Sequence, residues 1–526
     1  SALPPGFMND TTPTVFSLFR RILASLCVIP LLTQVTPPSR AQAETSTGAT
    51  AETSPSDINI LFIVLDEAPL FPLLKTDGTI NRDRFPGFAS LADTATWYRN
   101  AMTTAQRTTE AVPAVLTGKW PTFRNYPYLK SHPNNLFTLL RDEKKLNVYQ
   151  AITHLCPKNA CANAPSRDQR KLLNQVRELQ KTISQAATAT TPSLNFAHVL
   201  LPHRPWSLVP DGRYMSDVLR YPDPRSEFLV DRRRDNYQSM LRQYVATDAL
   251  IGDLVSTIKA SPNWDNTMIV VTADHGITFE PGKSYRDTID IRSPGTMEDI
   301  FRVPLFIKYP RQATASVSDC AASSVDLLPT VLAVSSKKPV ARTDGQDLST
   351  TCPRRASRTV RWPAGSFQVS TTFASLVKRV KYYDRWIDAD SDVDGIYRSG
   401  LSGSLLGTTT PPSVSTTTSL TWRLNLARNY QSIGSGRLTP VPARASGLLF
   451  PTKKMCRRCE GLIAINGRFV GVVSELAGTR PHKDGIYFSS SLMTRIMEPG
   501  PATVELWMAD WSKKTPTFQR VGPPRK

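Results

Sequence analysis

The chain has few of the features that mark membrane-embedded or nucleic-acid-binding proteins. The apolar stretch Ile22–Leu32 is too short to cross a bilayer comfortably, and no internal repeat is evident. Lysine and arginine outnumber aspartate and glutamate by 64 to 44, but these basic residues form no long run and no known nucleic-acid motif. We therefore expect no nucleic-acid partner.

The N-terminal region indicates export. An arginine pair at positions 20–21 precedes the apolar stretch, and Ala41-Gln42-Ala43 supplies a small-residue cleavage pattern before Glu44. The sequence predicts a signal peptide over 1–43, a disordered lead-in over 44–56, and a periplasmic or secreted protein. An uncleaved segment that retains the protein at the membrane is the alternative.

For an exported protein, a formal charge of +20 suggests the chemistry of its partners. Anionic envelope lipid or glycan is the substrate class that such a charge favours, and it also favours association with a membrane surface. A solvated basic surface with no specific partner is the alternative.

Cysteine is scarce, with seven residues in 526, and its placement agrees with export. Removing Cys27 with the signal leaves six cysteines, which fall into local pairs. In an oxidising compartment such pairs predict disulfides. A zinc site on the third pair is the alternative, but no second pair with suitable spacing lies nearby. The pairs are Cys156 with Cys161, Cys320 with Cys352, and Cys456 with Cys459.

The length allows two domains with substantial cores. Over 57–350, strand-like and helix-like runs alternate, which predicts an α/β domain whose mostly parallel sheet is covered by helices on both faces. Over 351–526 the pattern predicts a β-rich accessory domain, with a low-complexity loop at 402–419 and a hairpin turn at Asn466-Gly467. The strand-like runs of the first domain are Ile58–Leu65, Leu146–Ile152, Leu194–Leu200, Met268–Thr272 and Val303–Lys308; the helix-like ones are Pro86–Asp93, Thr108–Leu116 and Asp235–Lys259.

Two of these strands end in ligand-type side chains. Asp66 and Glu67 follow the first, and Asp274, His275 and a glycine follow Thr267–Ala273. An Asp-His-Gly tripeptide alone would favour a turn. Because open α/β sheets place their chemistry at the carboxyl ends of strands, the second acidic strand end favours a site for one divalent metal ion. Mixed oxygen and nitrogen ligands suit manganese, zinc or magnesium, with calcium a weaker candidate.

A nucleophile is predicted in Gln106–Gly118. A helix that begins at Thr108 or Thr109 would direct hydroxyls and free backbone N–H groups into the cleft, where a metal lowers the pKa of a hydroxyl. The alternative is an ordinary N-cap, although no glutamate or glutamine stands three residues after either threonine to complete a capping box.

Several segments of the chain resemble the sulfatases of the alkaline phosphatase superfamily. In that superfamily the nucleophile stands nine positions before the threonine of a Thr-Gly pair, and counting back from Thr117 gives Thr108. The resemblance covers about Asn59–Leu348. The segments that carry it are Asn59–Glu67, which is similar to the opening sulfatase strand, Thr272–Gly276, which is similar to the metal motif, and two further sulfatase-like segments, Arg302–Pro310 and Val325–Val331.

The chain departs from sulfatases at the nucleophile. Sulfatases convert a Cys or Ser in a Cys-x-Pro-Ser-Arg context to formylglycine, and a threonine cannot be converted. Thr108 resembles instead the nucleophile of phosphodiesterases and of bacterial phosphoethanolamine and phosphoglycerol transferases. Those transferases place an acid, a threonine and an Asp-His pair around one metal ion. This implies Asp66, Thr108, Asp274 and His275 as metal ligands here, with Glu67 as a further ligand or supporting group.

Further residues are expected to contact the phosphoryl group. The transferase pattern includes a histidine pair whose second member contacts that group, which implies His203 and, more weakly, His198. Arg107 beside the nucleophile, and Lys283 and Arg286 in the loop after the metal motif, are candidate anion contacts. Solvated basic side chains or structural histidines are the alternatives.

These features lead to three hypotheses of function. The first is a metal-dependent, sulfatase-like enzyme that cleaves or transfers phosphoryl-type esters on envelope glycan or lipid through Thr108. The second is a sulfuric ester hydrolase, which the missing modification motif opposes. The third is a non-catalytic glycan-binding protein on the same fold.

Overall fold

The computed structural model describes residues 54–161, 171–215, 230–286, 293–336, 342–354, 357–362, 365–370, 372–412 and 414–525. Thr53–Lys526 forms one compact unit, and the domain boundary at 350 stays a prediction. The predicted signal peptide and most of the lead-in lie outside the described residues. Within the described ranges, no helix is both long and apolar enough to cross a membrane.

A seven-stranded, mostly parallel sheet forms the centre of this unit. Its order is β3-β4-β1-β5-β6-β2-β7, in which β6 runs antiparallel to β5 and β2 while the other neighbours are parallel. This confirms the predicted α/β fold class, and all five strand-like runs form strands. The strands are β1 (Asn59–Asp66), β2 (Thr96–Tyr98), β3 (Lys145–Gln150), β4 (Ser193–Pro202), β5 (Thr267–Ala273), β6 (Leu305–Lys308) and β7 (Ser316–Ser318).

Helices cover both faces of the sheet, which is why every residue of β1 is buried. Because successive side chains of a strand point to opposite faces, Ile60 and Phe62 pack with α2, α3 and α7, whereas Leu61 and Ile63 pack with α1, α4 and α5. The helices of the described ranges are α1 (Pro86–Ala92), α2 (Thr108–Thr117), α3 (Leu136–Leu140), α4 (Leu172–Ala187), α5 (Val230–Lys259), α6 (Pro294–Phe301), α7 (Leu327–Ser335) and α8 (Phe373–Asp384).

The C-terminal part is rich in antiparallel strands, as predicted. Asn466 and Gly467 form the predicted turn, and both have the positive φ that a type I′ hairpin requires, 48° and 75°. The region also contains α8, which the sequence did not predict, and part of the predicted low-complexity loop forms β10. The strands are β8 (Ser357–Trp362), β9 (Gly365–Ser370), β10 (Thr416–Thr417), β11 (Leu420–Leu424), β12 (Arg444–Pro451), β13 (Cys459–Ile465), β14 (Arg468–Val473), β15 (Ile486–Ser491), β16 (Val504–Asp510) and β17 (Thr517–Val521).

Disulfides join all three predicted cysteine pairs. The Cα atoms of the partners lie 6.0, 5.0 and 5.3 Å apart, within the range that a disulfide bridges. Because Cys456 and Cys459 are bonded to each other, they provide no thiolates for the alternative zinc site.

Candidate metal and catalytic site

Parallel strand pairing brings the predicted ligands together. β1 lies between β4 and β5, and Leu65 pairs with Ala273, so that Asp66 and Asp274 follow at adjacent strand ends. The backbone N–H of Asp274 donates to the carbonyl of Leu65 at 2.9 Å, which continues the ladder to the site itself. On the other side of β1, His198 lies within β4.

Two backbone hydrogen bonds orient Asp274. Its Oδ1 accepts from the N–H groups of Glu67 and His275 at 3.1 and 2.7 Å. Glu67 donates from a left-handed backbone with φ of 60°, which is uncommon for a residue with a side chain. The other carboxylate oxygen, Oδ2, lies 3.4 Å from Nε2 of His275 and 4.0 Å from Nε2 of His198.

The imidazole of His275 has the form that binds a metal ion. Its Nδ1 donates to the carbonyl of Gly276 at 3.0 Å, which leaves the lone pair on Nε2. Burial, reinforced by the positive charge of Arg286, lowers the pKa of His275 to about 3. The ring is therefore neutral at physiological pH, and its Nε2 lies 3.4 Å from Oδ2 of Asp274 and accepts a hydrogen bond from the guanidinium of Arg286 at 2.5 Å.

The buried carboxylates form an electrostatically costly pair. Burial, together with the nearby charge of Asp66, raises the pKa of Asp274 to about 7. Although burial has the opposite effect, His203 and His198 lower the pKa of Asp66 below its usual value. Two adjacent carboxyl groups in a site without solvent favour either a shared proton or a bound cation.

The donor atoms fit one divalent metal ion. Oδ1 of Asp66 and Oδ2 of Asp274 are buried and have no hydrogen-bond partner in the described part of the chain. Ligand atoms of Asp66, Asp274 and His275 all lie within 4.8 Å of one another. Nε2 of His198 lies 3.3 Å from Oδ2 of Asp66, so this histidine supports or extends the same cluster.

The hydroxyl of Thr108 lies among these ligands. Thr108 is the first residue of α2, and its Oγ1 lies 3.2 Å from Oδ2 of Asp66 and 3.4 Å from Nε2 of His275. The hydroxyl of Thr109 instead donates to the carboxylate of Glu110 at 2.6 Å. Of the two threonines at which the helix was expected to begin, Thr108, the nucleophile that the resemblance implies, is the one whose hydroxyl lies in the cluster.

Cationic and imidazole groups border the cluster on the side of Glu67. The carboxylate of Glu67 lies 3.3 Å from Nε of Arg286 and 3.8 Å from Nε2 of His203. The side chains of His203 and Arg286 are 22% and 17% exposed, whereas those of Asp66 and Asp274 are almost completely buried. An ester that approaches the cluster from solvent can therefore meet His203 and Arg286. The role of Glu67 as a metal ligand stays a prediction.

The two other predicted anion contacts are Arg107 and Lys283. Arg107 precedes α2 in an extended conformation and its side chain is exposed. The main-chain carbonyl of Lys283 accepts a hydrogen bond from Arg233. Anion binding by the Arg107 and Lys283 side chains stays a prediction.

A buried network that the sequence did not predict supports the loop after His275. Asp299 accepts from Thr278 at 2.8 Å, from two nitrogens of Arg379 at 2.8 and 2.7 Å, and from Tyr383 at 2.7 Å. A Cβ on Gly276 would lie 2.2 Å from the carbonyl oxygen of Asp299. The glycine after His275 is therefore required by this close approach, and its φ is not positive.

Tyr285, next to Arg286, was also missed. Its buried ring lies between the guanidinium groups of Arg204 and Arg233, whose central carbons are 4.8 and 3.9 Å from the ring centroid. Its hydroxyl accepts from the side-chain amide of Asn236 at 2.6 Å. These contacts fix the backbone from which Arg286 reaches the site. No local sequence signal identifies these partners, which come from α5 and from the segment after β4.

Comparison with known proteins matches residues 58–336 to the family model described as sulfatase. A curated relative, an ulvan-active sulfatase of Formosa agariphila, is 24% identical over 308 residues, which cover 50% of this chain and 59% of the relative. The chain thus matches less than two thirds of that relative's length. Similar solved structures include a 2-O GAG sulfatase (15% identity, TM-score 0.43, 58% of this chain and 78% of the other) and a phosphonate monoester hydrolase of Agrobacterium radiobacter (14% identity, TM-score 0.43, 58% and 80%).

Proposed function

We propose that this chain, which belongs to the sulfatase family, is an exported enzyme that cleaves or transfers phosphoryl-type esters with Thr108 as its nucleophile. Its family makes it a sulfatase-like hydrolase of the alkaline phosphatase superfamily. The observation that carries the finer proposal is the Thr108 hydroxyl, which lies 3.2 Å from Asp66 and 3.4 Å from His275. Threonine cannot become the formylglycine of sulfatases, but it can form a phosphate ester.

The metal ion on which the reaction depends would be held by Asp66, Asp274 and His275, with His198 beside them. A divalent cation bound there would lower the pKa of the nucleophilic hydroxyl and offset the negative charge of the ester. The imidazole nitrogen among the ligands favours manganese or zinc over calcium.

The side chains of the site have separate roles in the proposed reaction. Thr108 Oγ1, oriented by Asp66 Oδ2 at 3.2 Å, attacks phosphorus in line with the leaving alcohol. The bond from phosphorus to that alcohol breaks, and the proton of the Thr108 hydroxyl ends on the alcohol. His203 and Arg286 stabilise the charge on the phosphoryl oxygens from the partly exposed side of the site. The phosphothreonine ester is then cleaved by water or by an acceptor hydroxyl.

The proposed substrate is a phosphodiester, or a phosphoethanolamine- or phosphoglycerol-type ester, on anionic envelope glycan or lipid. The excess of 20 positive charges supports an anionic partner and contact with a membrane surface. Export rests on the N-terminal signal pattern, and the three disulfides support it because they persist in oxidising compartments.

Sulfuric ester hydrolysis is the second candidate. The family match and the name of the curated relative favour it. The threonine at position 108 opposes it, because sulfate ester cleavage in this family uses a formylglycine that threonine cannot supply.

The two candidates are separated by comparing turnover of bis(4-nitrophenyl) phosphate and 4-nitrophenyl sulfate by the purified enzyme, with manganese, zinc or magnesium added in turn. We expect the phosphodiester to react at least tenfold faster. Mass spectrometry should then find a phosphoryl adduct on Thr108. Faster hydrolysis of the sulfate ester, with no adduct on Thr108, would refute the proposal.

A further inference from the structure

A cleft lies along α2, next to the candidate catalytic site. Its volume is about 560 Å³, and Glu110, Pro113 and Ala114 of the helix line it together with the loops that follow. Thr108, Ala111, Val112 and Val115 form the buried face of the same helix. The proposed nucleophile therefore lies on the inner face of the helix, and the cleft borders a different face. With a helical rise of about 1.5 Å per residue, the ten residues of α2 form one side of the cleft, which is about 15 Å long and begins at the site.

The charged groups of the cleft balance one another, in contrast to the strongly basic chain. Two cations, Lys119 and Arg342, face two carboxylates, Glu110 and Asp344. Asp344 lies 3.4 Å from the ammonium of Lys119 and accepts from the backbone N–H of Trp120 at 2.8 Å. Such a surface offers many hydrogen-bonding groups but no net charge for a second anion.

Exposed aromatic rings lie beside the cleft. The side chains of Tyr126 and Tyr128 are 72% and 50% exposed, and their rings stack with centroids 6.1 Å apart. Tyr128 stacks in turn on His154, at 5.7 Å and an interplanar angle of 8°. In sequence these tyrosines stand between the cleft residues Trp120 and His132. Flat, solvent-exposed rings next to a polar cleft are suited to stacking on the apolar faces of sugar rings.

The aromatic segment is held in place before any ligand binds. The backbone N–H of His154 donates to Pro127 at 2.9 Å, and its carbonyl accepts from Leu129 at 2.8 Å. The disulfide between Cys156 and Cys161 links the residues that follow His154. A preorganised surface binds a ligand without the cost of ordering a loop.

We propose that this cleft, with Trp120 and Tyr126, binds neutral saccharide units of the glycan that carries the ester. This inference rests on the proposed function for its link to catalysis. The charges indicate that two regions bind two parts of the substrate. The metal site and Arg286 bind the anionic ester, and the charge-balanced cleft with its aromatic rings binds uncharged sugars.

The test measures binding and does not need turnover. The full chain is titrated calorimetrically with cellohexaose, mannohexaose and xylohexaose as neutral probes, and with hexameric mannuronate as an acidic probe. We expect at least one neutral hexasaccharide to bind, and Tyr126→Ala and Trp120→Ala each to weaken it about three- to tenfold. The control is Val317→Ala, because this side chain is 60% exposed on β7 and lies outside the cleft.

Several outcomes would overturn the inference. They are binding of the acidic probe alone, no binding of any probe, or binding that Tyr126→Ala and Val317→Ala leave equally unchanged. Tyr126 is so exposed that its replacement should not alter the melting temperature, so a loss of binding cannot be ascribed to unfolding. Since no ester is present, these results are independent of whether Thr108 is the nucleophile.

Discussion

Replacing Thr108 by alanine is the most direct test of the proposed reaction. The change removes the hydroxyl that lies 3.2 Å from Asp66 and 3.4 Å from His275, and leaves the other predicted metal ligands, Asp66, Asp274 and His275, in place. Without a nucleophile, the metal site can only assist a water molecule that nothing positions. We expect the rate on an aryl phosphodiester to fall by at least about 10⁴-fold, which corresponds to about 5 kcal/mol of transition-state stabilisation.

The same change should barely affect stability. Thr108 makes two long hydrogen bonds in a partly polar site, and each contributes at most about 1 kcal/mol net. The carboxylate oxygen that loses the hydroxyl still lies 3.3 Å from His198, and alanine is well tolerated in a helix. The free energy of unfolding should therefore change by no more than about 2 kcal/mol, and the melting temperature by a few degrees at most.

The assay compares the rate, the melting temperature and the metal content of four proteins. Thr108→Ser keeps a hydroxyl and should retain activity within about tenfold of the original. Thr109→Ala is the matched control, because the hydroxyl of Thr109 bonds to Glu110 instead of the cluster. Full activity of Thr108→Ala with a normal metal content would refute the nucleophile assignment, and so would equal losses in Thr108→Ala and Thr109→Ala.

Three further predictions concern the metal, the anion contact and a disulfide. We expect elemental analysis to find one divalent metal ion per chain in the original protein and to find it lost in Asp274→Asn, because Oδ2 of residue 274 would no longer carry charge. An unchanged metal content would contradict the ligand set. Arg286→Ala should lower kcat/KM for an aryl phosphodiester about 10- to 100-fold at an unchanged melting temperature, and an unchanged kcat/KM would remove Arg286 from the site. Replacing Cys320 and Cys352 together by serine opens a loop with a sequence separation of 32 and should cost about 3–4 kcal/mol in denaturant titration, whereas an equal midpoint and slope would contradict a stabilising bridge.

The convergence of Asp66, Asp274 and His275 could be predicted because it depends on strand order and direction. A buried apolar run identifies a central strand, and parallel neighbours end at the same edge of the sheet. The short strands β2 and β7, each three residues long, could not be predicted, because so few residues show no periodicity. The helix α8 was missed within a region whose other segments alternate as strands do.

The contacts between side chains could be predicted less well from the sequence. Glu67 was predicted as a further ligand or supporting group, but the sequence did not indicate its partners: its carboxylate lies near Arg286 and His203, and its backbone N–H donates to Asp274. Asp299 and Arg379 are 80 residues apart, and neither belongs to a recognisable motif. Their pairing exists only because α6 and α8 pack together behind the loop that carries His275.

The sequence by itself determined which strand ends carry ligand atoms and which cysteines pair, because hydrophobic periodicity and local spacing decide these matters, and its resemblance to sulfatases predicted Thr108 as the nucleophile. The tertiary structure alone decided that His203 and Arg286 lie on the open side of the cluster, that the carboxylate of Glu67 lies beside them, and that a cleft with balanced lining charges adjoins α2. Those facts depend on the direction in which each side chain leaves a packed helix or loop, and that direction is set by contacts between segments far apart in the chain.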